Sequence, residues 1–343
     1  MKKPSSTKID IHYSPYELKL KDFPTADSRR GALLFVDGGY ADLHPWPELG
    51  DLPIEEELEA LKNGVPTNLG EKSLEFAKID ALAREKGINL LNEVPKTKNH
   101  LHIGRPSANF DFEALKRELE LGAYDRVKLK VSDFLSPLEF ETFKKLVRLS
   151  TESKNLKIRL DLNYSFGDRA QDFEDLLSTF SVDELDAIDF IEDPFLFEDY
   201  TWARVAEKFQ IRLALDRGDL ELKIEADLRD DKGHPSFAVV VIKPALEESA
   251  TIVQAAAKNM RRVLFTSYLD HPLGQVCAAY EAGLALKEHP LLIDDCGLLS
   301  HRAYQSHSYS EALRVDKNVL VGAEGLGWGF DSLLSKVSWQ KLR

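Results

Sequence analysis

The sequence predicts an α/β protein, a modified TIM-type (β/α)7β barrel preceded by an α+β capping domain. Three observations carry that expectation. Short apolar strands alternate with amphipathic helices from residue 100 onward. The first part of the chain lacks this alternation and carries a hairpin signal instead. Five consecutive strands of the alternating part each deliver a charged residue at the carboxyl end.

In the first part, residues 33–36 and 40–43 read as a strand pair around Asp37-Gly38-Gly39, because an Asp-Gly step readily takes the positive φ that a two-residue hairpin turn requires. Helical stretches follow at 54–61 and 72–86. The alternating part opens on a weak strand at 100–104. Strands then follow at 127–131, 157–162, 187–193, 212–216, 237–244, 262–268 and 291–295. Between them lie helical spacings such as Phe112-Leu115-Leu119, Leu138-Phe143-Leu146-Leu149, Trp202-Val205-Phe209, Ile252-Ala255-Ala256 and Val276-Ala279-Tyr280-Leu284. Such alternation implies parallel strands joined by crossover helices. Eight strands favour a closed barrel over an open sheet, and no Gly-rich phosphate fingerprint follows the first strand. From Asn318 the tail carries Gly322, Gly325, Gly327 and Gly329 and is not a further barrel unit. The expected organisation is a capping domain over 1–99, a catalytic barrel over 100–317 and a segment over 318–343 that returns to the cap.

Bulk properties narrow the function classes. The 343 residues carry 58 acidic and 45 basic side chains, a net charge of −13, which disfavours nucleic-acid binding. An anionic small molecule is still compatible, since a cation in a cleft reverses the local sign. The two cysteines, Cys277 and Cys296, form neither a CxxC pair nor a disulfide framework. No apolar h-region follows the lysines at the N-terminus, and no run reaches the ~18 apolar residues of a membrane span. These features lead to the expectation of a cytoplasmic protein with no obligatory protein partner.

The strand ends carry the chemistry. Side chains alternate along a strand, so Lys128 and Lys130 share one face while Val127, Leu129 and Val131 share the other. With the apolar face turned to the helices, the lysines point into the barrel. The next strand, Arg159-Leu160-Asp161-Leu162-Asn163, divides in the same way. The following ones end in Glu192-Asp193-Pro194, in Asp216, and in Lys243-Pro244. Each interval suits one β/α unit. One such charge reads as a salt bridge or a solvated edge, but five in succession at the end of a barrel where active sites sit read as a site.

The set is chemically coherent. Asp161, Glu192 and Asp216 converge on the barrel mouth, where uncompensated carboxylates repel one another and one or more takes up a proton. A divalent cation relieves this conflict, and all-oxygen ligation selects Mg²⁺, with Mn²⁺ as an alternative. Lysines flank the carboxylates on both sides, and a neighbouring ammonium and a dication both favour the neutral, basic form of Lys130. Proton abstraction beside a carboxylate suits such a site, because a fixed cation neutralises the charge that develops.

Lys128-Leu129-Lys130, Asp161-Leu162-Asn163, Glu192-Asp193-Pro194, Asp216 and Lys243-Pro244 together resemble the muconate-lactonizing-like subgroup of the enolase superfamily. Within it the chain is most similar to the o-succinylbenzoate synthases. The block 190–194, the strand 238–246, Thr266-Ser267 with 272–275, and Arg30-Gly31 with 39–45 carry that closer likeness. One departure is Asp216-Arg217-Gly218, where that family commonly has D-E-S. The resemblance implies a Mg²⁺-dependent lyase of menaquinone biosynthesis, with Asp161, Glu192 and Asp216 as metal ligands. Lys130 would be the acid–base group, Lys243 the cation on the opposite face, and Lys128 an electrostatic aid. The same resemblance suggests Asn163, Ser267, Gly274 and Arg30 as substrate contacts. An N-succinylamino acid racemase or dipeptide epimerase would use the same metal and lysines, and a catalytically silent barrel is the reading from a different class. Among lesser candidates, His100-Leu101-His102 lacks a nearby third metal ligand. His301 and His307 read as surface loop, and Trp46-Pro47 as a lid or ordinary cap packing.

Overall fold

The computed structural model describes residues 9–21, 28–106, 110–132, 136–153, 156–216, 218–226 and 235–343. An antiparallel sheet is built first, from β1 (Ile11–Lys19), β2 (Ser28–Val36) and β3 (Gly39–Leu43). Asp37 and Gly38 both take positive φ, 46° and 95°, in the two-residue turn of the hairpin β2–β3. The helices α1 (Ile54–Asn63) and α2 (Asn68–Glu85) follow, and α2 covers the hairpin so closely that a Cβ on Gly39 would stand 1.9 Å from the Ala77 carbonyl. Thr67 caps α2, its side chain accepting from the Gly70 amide at 3.1 Å.

The alternating part runs β4 (Leu101–Gly104), α3 (Phe112–Gly122), β5 (Arg126–Lys130), α4 (Pro137–Ser153), β6 (Lys157–Asp161), α5 (Ala170–Ser178), α6 (Val182–Ala187) and β7 (Ile188–Glu192). It continues with α7 (Asp199–Phe209), β8 (Leu213–Leu215), α8 (Leu220–Ala226), β9 (Val239–Ile242), α9 (Ser249–Lys258), β10 (Arg262–Phe265) and α10 (Pro272–Glu288). Strands β4 to β10 pair in parallel and in sequence order as one seven-stranded sheet. This is the (β/α)7β architecture that the alternation predicts. The tail adds α11 (Ser308–Ala312), the hairpin β11 (Arg314–Asp316) and β12 (Val319–Gly322), α12 (Asp331–Leu334) and β13 (Gln340–Lys341). Strand β13 pairs with β1, and Trp339 packs on Phe35 and Tyr40.

The structure departs from the sequence expectation at the last barrel strand. The segment expected over 291–295 forms isolated bridges instead, Val263 with Ile293 and Thr266 with Gly297 on one edge, and Asn99 with Cys296 on the other. Side chains supply what the backbone ladder lacks. Fully buried Arg159 reaches Asp189 at 2.9 Å, Asp294 at 3.0 Å and His100 Nδ1 at 3.0 Å, while Arg262 also bonds Asp189 and Asp294. His100 is therefore a structural partner of this network. Strand β1 and helices α5, α6 and α8 are not among the elements expected from the sequence, although α5 places Ala170, Phe173 and Leu177 at helical spacing.

Two buried clusters divide the interior. The larger lies between the strands, their helices and the capping sheet. The smaller, Phe190, Ala214, Val239, Val241 and Leu264, fills the barrel lumen. By strand alternation Phe190 shares a face with Glu192, Ala214 with Asp216, and Val241 with Lys243. Both cysteines are free and buried. No helix among the described residues is long and apolar enough to cross a membrane.

Candidate active site

Register brings three of the five charged strand ends to one level. Lys130 pairs with Asp161, and Asp161 with Glu192, in one row across β5, β6 and β7. Glu192 pairs with Ala214, so Asp216 stands two residues further up its strand. Ala214 pairs with Val239, four residues before Lys243. The rise follows from strand stagger in a tilted barrel.

The side chains form a charged cluster at the lumen's upper end. Lys128 Nζ lies 2.8 Å from both Glu192 oxygens and 3.0 Å from Asp161 Oδ2. Lys243 Nζ bonds Asp216 Oδ1. All three carboxylates are buried, at 7%, 2% and 7% exposure for Asp161, Glu192 and Asp216. Among the described residues, no three His, Cys, Asp or Glu side chains stand close enough together to hold a metal ion as placed. Asp161 and Glu192 meet at Lys128, while Asp216 is drawn to Lys243.

The electrostatics follow from burial and crowding. Burial works to lower the Lys128 pKa, but Asp161, Glu192 and Asp216 outweigh it and hold the ammonium charged. Lys130 moves the other way. Burial lowers its pKa, and Lys128 adds to the shift while Asp161 and Glu192 oppose it. Burial would raise Asp161, but Lys128 and Lys130 bring it down to about 2. Glu192 is raised to about 7 by burial and by repulsion from Asp161 and Asp216, against Lys128. Asp193, 2% exposed, lies well above the usual carboxylate range through burial and the charges of Asp216 and Glu192.

The backbone at these strand ends is unusual. Asn163, Tyr164 and Asp193 take φ of 46°, 58° and 42°, a region that costs a side-chain-bearing residue about 1–3 kcal/mol and clusters at functional sites. Tyr164 donates its amide to the Asp193 carbonyl at 2.7 Å, which ties the two turns together.

The remaining candidates are placed as follows. Asn163 bonds Asp161 Oδ1 through its amide nitrogen. Ser267, 7% exposed, shares a hydrogen bond with Ser300. Gly274 is buried in the first turn of α10, where a Cβ would stand 2.8 Å from carboxylate oxygens of both Asp42 and Asp270. Arg30 is exposed on the capping sheet and pairs with Glu55 at 2.6 Å. Arg217 lies outside the described residues. His301 and His307 are only partly exposed, since His301 Nδ1 lies 2.9 Å from Gln275 Oε1 and His307 packs on His271. Trp46 reaches from the cap to the barrel, donating to the Tyr268 carbonyl at 2.8 Å.

Two further acidic groups stand at the site, Asp193, named in the sequence only as part of its motif, and Glu247, not named there. Asp193 accepts the Asp216 amide at 3.2 Å, and Glu247 accepts the Lys243 amide at 2.7 Å. Burial raises Glu247 to about 7. Asp193 stood in the Glu-Asp-Pro motif and was open to notice. Glu247 carried no signal, being one of many helix-flanking acids.

Comparison with known proteins agrees with this architecture. Residues 11–83 match the family model described as the O-succinylbenzoate synthase N-terminal domain. The chain is 33% identical to an o-succinylbenzoate synthase of Bdellovibrio bacteriovorus over 354 aligned positions, covering 98% of this chain and 99% of that one. Its fold is similar to that of a mandelate racemase/muconate lactonizing protein from Herpetosiphon aurantiacus, with TM-score 0.69 and 14% identity over 93% of this chain and 96% of the other. It is also similar to a dipeptide epimerase from Methylococcus capsulatus, solved with Mg and a dipeptide, with TM-score 0.67 and 16% identity over 93% and 98%. With its whole length matched to such a synthase, and with the fold of these two solved proteins, the chain belongs to the o-succinylbenzoate synthase family.

Proposed function

We propose that this chain is an o-succinylbenzoate synthase, a hydro-lyase that carries out the syn dehydration of 2-succinyl-6-hydroxy-2,4-cyclohexadiene-1-carboxylate in menaquinone biosynthesis in the cytoplasm. The observation that carries this reading is the row Lys130–Asp161–Glu192, with Asp216 and Lys243 following on the next two strands. The donor set fits a hard divalent cation. It offers only carboxylate oxygens on three adjacent strands, and the raised Glu192 and Asp193 mark an excess of negative charge. Asp161, Glu192 and Asp216 would hold Mg²⁺, with Mn²⁺ as a substitute, after their side chains turn from Lys128 and Lys243. When bound, the ion supplies positive charge opposite the substrate's ring carboxylate, where negative charge develops.

The chain's own groups do the rest. Lys130, shifted toward its neutral form, takes the proton from the carbon that bears the ring carboxylate. The C–H electron pair becomes a ring double bond as the neighbouring C–O bond breaks. The Lys130 ammonium returns its proton to the departing hydroxyl on the same face, which leaves as water. Lys243 holds a positive charge on the opposite face and Lys128 adds to the field. The product ring is aromatic, so the first proton transfer carries most of the barrier.

The test is an assay of the purified chain on the cyclohexadiene substrate, with and without Mg²⁺. N-succinylamino acids in D₂O are run in parallel, because Lys130 and Lys243 flank the carboxylates as a two-base racemase requires. Metal-dependent dehydration is expected. Efficient racemisation with negligible dehydration would make the chain a racemase or epimerase on the same site, and no turnover of either substrate would make it a binding module.

A further inference from the structure

A second set of buried acids lies away from the lysines, on the seam between the capping sheet and the barrel. Asp42 on β3 is 8% exposed, and Asp270 on the loop after β10 is 3% exposed. Each places an oxygen 2.8 Å from the point where a Cβ on Gly274 would stand, so the two carboxyls flank the same spot. They line one small pocket together with His44, Gly274 and Cys277.

The hydrogen bonds there are lopsided. Asp42 accepts from the Tyr16 hydroxyl at 2.6 Å and from the His271 amide at 3.0 Å. Asp270 Oδ1 is buried with no partner, and so is His44 Nε2. Tyr16 also lies 2.8 Å from His44 Nδ1. With its own proton given to Asp42, the tyrosine oxygen accepts from Nδ1–H, and Nε2 is left as a bare acceptor. Two buried carboxyls thus flank one space whose lining holds no lysine or arginine. No three groups converge to hold a metal among the described residues. The titratable groups facing Asp270 are Asp42, Tyr16 of β1, Cys277 of α10 and Tyr304, none of them cationic. Arg29, the cation beside His44, is engaged by Glu48 at 2.6 Å.

We propose that Asp270 is kept as a neutral carboxylic acid that bonds Asp42 across the seam, so that one proton clasps the cap to the barrel segment that runs from Ser267 into the first turn of α10 at Gly274. The proton is assigned to Asp270 because Asp42 takes the Tyr16 hydroxyl as well as backbone amides, whereas Asp270 has backbone donors only and leaves Oδ1 without a partner. The shifts agree in direction. Burial, reinforced by Asp42, lifts Asp270 well above the usual range, and burial lifts Asp42 to about 7. Burial leaves His44 and His271 neutral. Asp270 is then a positioning residue for the proposed reaction. The kinetic part of the test rests on that function, whereas the stability part does not.

The sign follows from linkage. A carboxyl whose folded pKa is raised contributes stability that is fully present below its unfolded value near 4 and is lost as pH rises through the folded value. Unfolding of the wild type between pH 5 and 7 should therefore release about one proton more than unfolding of Asp270→Asn, which copies the neutral acid's shape and cannot ionise. As pH rises through the point where folded Asp270 ionises, the KM of the wild type should rise several-fold while kcat changes less, and Asp270→Asn should hold its pH 6 value. Asp42→Asn, which removes the opposing charge, should move the wild-type transition to lower pH. Identical proton release in wild type and both variants would overturn the proposal. So would failure of Asp270→Asn to fold, since a neutral isostere ought to seat as the acid does. A clasp seen in the proton release of a chain that shows no dehydration would leave this inference standing and remove the synthase reading.

Discussion

Lys128 and Glu192 face each other across the barrel lumen with the ammonium 2.8 Å from both carboxylate oxygens, a two-point ion pair at 7% and 2% exposure. The pair occupies the upper end of a lumen otherwise filled by Phe190, Ala214, Val239, Val241 and Leu264. A buried pair of this kind is costly to break from one side, because the partner left behind keeps its charge in a medium that solvates it poorly.

Replacing Lys128 by Met should therefore destabilise the chain by roughly 3–5 kcal/mol in chelator. Excess Mg²⁺ should recover a large part of that loss, since the cation compensates the same carboxylates. Urea denaturation of wild type and variant with EDTA and with Mg²⁺ measures both effects. Equal stability of the two proteins in EDTA would show that the pair contributes little.

Lys130 has a different expected signature, because its shift is toward the neutral base. Lys130→Ala should lower kcat for the dehydration by about 10²–10⁴-fold. Metal affinity, read by calorimetry, should stay within a few-fold of wild type. Retained turnover would move the acid–base role to another group.

Lys243 tests the geometry of the reaction. A syn elimination draws on acid–base chemistry from one face, so Lys243→Arg, which keeps the charge but not the shape, should retain measurable dehydration. Exchange or racemisation of an N-succinylamino acid that draws on Lys243 as a base should vanish in the same variant. Loss of both activities to the same degree would point to a two-base mechanism.

Side chains reinforce the closure of the barrel where the backbone makes only isolated bridges. Asp294→Ala would leave Arg159 and Arg262 sharing Asp189 alone near the foot of the lumen and should cost roughly 1.5–3 kcal/mol. Hydrogen exchange should speed up at the amides of Cys296 and His100, which bond across that closure. Unchanged exchange at those two amides would show that the ion network does not hold the last segment.

The sequence by itself determined the barrel, its seven β/α units, the two-residue turn at Asp37-Gly38 and the identities of the charged strand ends. All of these are local. Alternation within a strand tells which face a residue takes, and β/α spacing counts the strands. What the tertiary structure decided depends on register and on contacts between distant segments. Lys128 sits in the middle of the carboxylates, and Lys243 reaches Asp216, because stagger sets which strand ends share a level. The last segment makes only isolated bridges, and beside them Asp294 turns its charge to Arg159 and Arg262, partners far away in sequence. Tyr16, Asp42, His44 and Asp270 come together across more than two hundred residues of sequence, and their burial, which no local pattern records, gives those carboxyls their chemistry.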